Sequence, residues 1–211
     1  MRVRFLVPFL LLAAACNATG STDAAQAGSD SQNPVQISMS LYIVDDADGG
    51  TTSPLSSQRN VPDIEEIADR MRAIWDRAGI ELIVETVVRI EAPSGVLADL
   101  GDGDTSSFLA EARTGAISIP EPGTINGFYV ARVGTANGIA PFGTRAFFVT
   151  DVPSVPDERV SSHEIGHILG LHHTLEDPGR LMFSGTDGTN LSGPEIAVAR
   201  YAARGILDGV R

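Results

Sequence analysis

The chain has 211 residues, and its 15 basic side chains, all arginine, stand against 27 acidic ones for a formal net charge of −12. That balance repels a phosphate backbone and argues against nucleic acid as a partner. Cys16 is the only cysteine, so no disulfide can close within the chain and any core must come from apolar burial, for which residues 35–211 are long enough to form one domain.

Met1-Arg2-Val3-Arg4 is a short basic opening, residues 5–12 are apolar, and Ala13-Ala14-Ala15 stand before Cys16. This order predicts an export signal over residues 1–15, too short to span a bilayer. The placement of Cys16 resembles a bacterial lipoprotein cleavage box, with Ala13 where leucine is usual and Leu12 one place earlier. The resemblance implies a lipid anchor on Cys16. It also implies the outer membrane or cell surface, because Asn17 replaces the aspartate that retains such proteins at the inner membrane. Secretion after cleavage at the Ala13-x-Ala15 pattern is the competing reading. Residues 16–34 would then be the lipidated cysteine and a flexible tether, since 17–34 are rich in small polar residues without apolar period.

Residues 35–44 alternate apolar and polar side chains and predict a strand. Residues 61–78 carry Ile64, Ile67, Ala68, Met71, Ile74 and Trp75 at helical spacing, entered by Asn60 and Pro62 and stopped by Gly79. Residues 80–90 return to strand, which makes a crossover unit. Residues 92–123 read as glycine-rich, acidic and irregular, with one short helix over 106–113. Strands follow over 125–133 and 145–150, with Gly138-Ile139-Ala140 between them, and a last helix opens at Ser192, whose pairing with Glu195 is a capping box. The order predicts an α/β (α+β) domain. Asp45-Asp46-Ala47-Asp48-Gly49 and Asp99-Leu100-Gly101-Asp102-Gly103-Asp104 read first as solvated turns. Calcium is the alternative there, although neither stretch has EF-hand spacing.

All four histidines fall within residues 163–173, His163-Glu164-Ile165-Gly166-His167-Ile168-Leu169-Gly170-Leu171-His172-His173. On a helix, His163 and His167 share one face with Glu164 beside them. Val160, Ile165, Ile168 and Leu169 form the apolar stripe, and Asp157 and Glu158 suit the helix N-terminus. Gly170 ends the helix and lets the chain return His173 to the same point. Three imidazoles without a cysteine leave a tetrahedral position open, which predicts a catalytic rather than structural zinc. Glu164 is then the general base for zinc-activated water.

HEIGHILGLHH resembles the extended HExxHxxGxxH signature of the metzincin peptidases. The resemblance implies a metzincin-like zincin catalytic domain: a twisted mixed sheet with an antiparallel edge strand, an active-site helix and a C-terminal helix. It implies zinc on His163, His167 and His173, Glu164 as base, and a methionine turn at Leu181-Met182-Phe183, with Met182 a packing floor beneath the metal. Ser184 stands where some metzincins carry tyrosine, which favours a matrixin-like subgroup, while Leu169-Gly170-Leu171-His172-His173-Thr174 is similar to pappalysin-like peptidases. Gly138-Ile139-Ala140 is the candidate edge strand for an extended peptide, with a plain glycine loop as the alternative. His172 lies off the ligand spacing, so contact with a ligand or with solvent is its expected role. Glu176 and Glu195 are alternative third ligands. The implied function is a zinc metalloendopeptidase acting on polypeptide. The rival is an anchored zinc-containing binding lipoprotein of the same fold with little or no hydrolysis, and a secreted, unlipidated protease is a further reading.

Overall fold

Strand β1 (Val35–Asp46) organises the molecule by feeding two cores at once. Ile37, Met39, Leu41 and Ile43 enter one apolar cluster, and Tyr42 and Val44 enter another, because successive side chains of a strand point to opposite faces. From Met39 onward every residue of β1 is buried, as expected of a parallel sheet covered on both sides. The computed structural model describes residues 33–120 and 123–208. The expected export signal and Cys16 lie outside them, as does nearly all of the tether.

Helix α1 (Val61–Asp76) buries the six apolar residues read from its spacing, and Asn60 and Asp63 close a reciprocal capping box at its start. It leads into β2 (Ile80–Ala92), which pairs in parallel with β1 and shifts register between Met39 and Ser40. Two helices follow, α2 (Ser94–Gly101) and α3 (Ser106–Thr114). β3 (Ile125–Val130) pairs in parallel on the other side of β1, β5 (Ala146–Thr150) pairs in parallel with β3, and β4 (Gly138–Ile139) runs antiparallel to β5. The order is β2-β1-β3-β5-β4, so β4 is an edge. α4 (Asp157–Ile168) and α5 (Gly193–Leu207) complete the mixed α/β fold.

The two faces are covered differently. Helices α1, α4 and α5 contribute to the cluster that holds Ile37 and Met39, whereas Leu97, Leu100 and Phe108 of α2 and α3 pack with Tyr42, Phe128 and Phe148. In that second layer α3 falls where the short helix over 106–113 was expected, whereas α2 corrects the reading of the rest of 92–123 as irregular. Leu97 and Leu100 are the apolar side chains that α2 buries, and Pro93 provides no side-chain cap, so the periodic signal was faint and packing on the sheet supplies the stability. β3 also stops at Val130, three residues short of its expected end, and Val133 instead forms an isolated bridge with Ala136.

Candidate metal centre

Helix α4 is buried on unusual terms. Val160 and Ile165 join the apolar cluster, but Arg159, Ser161, Ser162, His163 and Glu164 are buried as well, so the helix hides polar groups that need partners. Asp157 and Glu158 occupy its first turn, where the helix dipole favours acids. Its C-terminus is a Schellman turn: Gly170 adopts φ 81°, its N–H donates to His167 O at 3.0 Å, and Leu171 N–H donates to Gly166 O at 2.9 Å.

That turn orients His167. His167 Nδ1 lies 3.0 Å from the Leu171 carbonyl, and His163 Nδ1 lies 2.7 Å from the Leu181 carbonyl. A carbonyl can only accept, so each Nδ1 carries the ring proton and each Nε2 keeps its lone pair. His173 Nε2 stands 3.1 Å from both of those Nε2 atoms. Three imidazole Nε2 atoms therefore converge, those of His163 and His167 with their lone pairs free, an arrangement that suits a cation among them. Zinc–nitrogen bonds of about 2.05 Å in tetrahedral geometry imply nitrogen separations of roughly 3.3 Å, close to those seen. The three histidines are the group able to hold a metal ion among the described residues.

Burial sets the electrostatics. It pushes the His163 ring down to about 4, helped by the positive charge of Arg159 and against the Leu181 hydrogen bond, and it lowers His167 as well. Both rings are thus held neutral, the form that ligates. Burial pushes Glu164 up to about 7, opposed by a hydrogen bond from Ala140 N–H and by Arg159. A divalent cation alongside would draw that carboxyl back toward its ionised form.

Glu164 meets the edge strand at close range. An added Cβ on Gly138 would stand 2.8 Å from Val160 Cγ1, 3.0 Å from Glu164 Cγ and 3.0 Å from the Phe148 carbonyl oxygen, so only glycine lets β4 lie so near α4. Gly138 and Ile139 form the two-residue strand, and Ala140 follows it with its N–H on Glu164. Met182 is fully buried beneath the helix, and its Sδ would lie 2.6 Å from a Cβ on Gly166. Its carbonyl accepts from Thr174 N–H at 3.0 Å, which ties the turn to the residue beside His173.

An archaemetzincin from Methanopyrus kandleri is similar with a TM-score of 0.56 at 16% identity, over 81% of this chain and 97% of that one. The fold is metzincin-like. A chain in a chaperone–substrate complex is similar with a TM-score of 0.50 at 15% identity, over 82% of this chain but 35% of that one. No family model matches the sequence, and no curated protein matches it.

Within this metzincin-like fold, a cleft of about 770 Å³ opens beside the histidines, lined by Ala140, Phe142, Arg145, His167, Leu171 and His172. His172 faces that cleft and lies outside the three-histidine group. Neither alternative ligand joins the group. Glu176 is exposed, and Glu195 is taken up by Arg180 and the cap of α5. The acidic stretches serve turns: Asp46 accepts from Ser53, Ser94 and Asp48 N–H, and Asp104 accepts from Ser106 at the start of α3. Sequence reasoning missed Arg159. Its signal was an arginine four residues before His163, on the same helical face.

Proposed function

We propose that the protein is a zinc-dependent metalloendopeptidase. The observation that carries this reading is the convergence of three Nε2 atoms, two of them on rings oriented from behind by carbonyls at Nδ1, next to a buried carboxylate and an open sheet edge. A bound zinc would supply Lewis acidity, lowering the pKa of water to about 7 and polarising a carbonyl oxygen. His163, His167 and His173 would hold it through Nε2, in keeping with a neutral three-nitrogen donor set. Glu164 would accept the proton of the attacking water on its carboxylate and pass it to the nitrogen of the leaving amine. Edge strand β4 would bind the substrate's main chain in extended form, which supports a polypeptide substrate over a small ester or amide. Met182 serves as the packed floor beneath the ligands.

Export, with a lipid on Cys16 holding the domain at a bacterial outer membrane or cell surface, belongs to the same proposal and rests on the order of residues 1–16. The test of the chemistry uses an unfolded protein substrate. Cleavage should be abolished by a chelator and restored by zinc, and Glu164→Ala should lower kcat at least about a hundredfold while still binding one zinc. Zinc binding without hydrolysis in the wild-type chain would favour the binding-lipoprotein reading. Full activity in Glu164→Ala would remove Glu164 as the base.

A further inference from the structure

Arg159 is 4% exposed, and a buried guanidinium costs several kcal/mol unless its surroundings compensate it. No carboxylate makes an ion pair with it among the described residues, and its Nε has no hydrogen-bond partner. Glu164 and Asp187 act on its charge beyond ion-pair distance, and its hydrogen bonds go to the methionine turn. Nη2 donates to the Leu181 carbonyl at 2.9 Å and also to the Phe183 carbonyl. The Leu181 carbonyl is the same oxygen that receives the His163 Nδ1 proton at 2.7 Å.

One oxygen thus links an arginine and a histidine four residues apart on α4 with the turn that carries Met182. A carbonyl has two lone pairs, and this one has both occupied by buried donors. With either donor missing, the turn could rotate its carbonyl away and leave the other buried donor unpaired. We propose that Arg159 is a positioning residue for the metal centre: it clamps residues 181–183 so that the Leu181 carbonyl holds His163 in the Nδ1-protonated tautomer, with Nε2 free for the ion. The role deepens the zinc reading and rests on it.

The test reads the tautomer in the metal-free protein and the zinc affinity separately. In the full chain labelled with 15N-histidine and stripped of metal, His163 should show the Nδ1-protonated tautomer alone. Arg159→Met should move it toward a mixture of tautomers and raise the zinc dissociation constant about 10- to 100-fold, the usual cost of losing a group that orients a ligand. Arg159→Lys should restore most of both, since one nitrogen of the arginine makes both carbonyl bonds. Tyr129→Phe removes a buried hydroxyl 3.1 Å from Ser161 on the same helix without touching the turn, and should leave the tautomer unchanged.

An unaltered tautomer and affinity in Arg159→Met would overturn the proposal, and so would an equal shift in Tyr129→Phe. If Arg159→Met does not fold, Arg159→Gln takes its place. It keeps a neutral donor and should shift both readings in the same direction, and no shift in it overturns the proposal equally. Failure of the wild-type chain to take up zinc would overturn the metal reading instead. The tautomer comparison needs no metal and would still decide what Arg159 does.

Discussion

Gly138 and Gly166 are both glycines pressed against the site, yet they are not equally replaceable. A methyl group at Gly166 meets the Sδ of Met182, a side chain with flexible torsions, and alanine would regain about 1 kcal/mol of helix propensity there. Gly138 has no such relief, because a Cβ there meets the Phe148 carbonyl as well as Val160 and Glu164. Gly138→Val should therefore cost about 1–3 kcal/mol through overpacking, lower the midpoint of thermal unfolding, and reduce peptide hydrolysis by pushing β4 off Glu164. An unchanged melting temperature together with unchanged cleavage would show that the close approach does not matter. At this scale the sequence disclosed the three converging histidines with Glu164 beside them, because helical spacing and a glycine turn bring those positions together. It did not disclose why position 138 is glycine, since the reason lies across the fold in α4.

Between elements, Asp46 joins three segments: it ends β1, accepts from Ser53 Oγ at 2.6 Å in the following loop, and accepts from Ser94 Oγ at the start of α2. Those hydroxyls, Ser53 first and then Ser94, hold its carboxyl below the ordinary aspartate range. A carboxyl lowered on folding adds stability that is fully present above its unfolded pKa, about 3.9, and is lost as pH falls through the lowered value. Asp46→Asn should consequently melt below wild type at pH 6, with the gap closing as the pH is brought toward 2.5. A gap that stays constant over that range would mean the charge of Asp46 contributes nothing. The helices α1 and α5 were readable because each carries a capping box and a long apolar stripe. Helix α2 was not readable, because eight residues with two buried leucines look like a glycine-rich loop until the sheet lies beneath them.

For the whole molecule, location and chemistry are separable. No helix among the described residues is long and apolar enough to cross a membrane, and the proposed attachment is through Cys16. Mass measurement of the mature protein should find a lipid-modified terminus at Cys16, whereas an unmodified terminus after Ala15 would replace anchoring with secretion. By itself the sequence determined the helix that carries His163 and His167, the turn that returns His173 to them, and the places of most strands. Each of those is written in local spacing, and local spacing follows from the geometry of one helix or one strand. Only the tertiary structure decided that Ala140 hydrogen-bonds to Glu164, that Leu181 receives both Arg159 and His163, and that α2 and α3 cover the second face of the sheet. These are contacts between residues far apart in the chain, chosen by which buried polar groups must be paired and which apolar faces must be covered once the sheet has assembled.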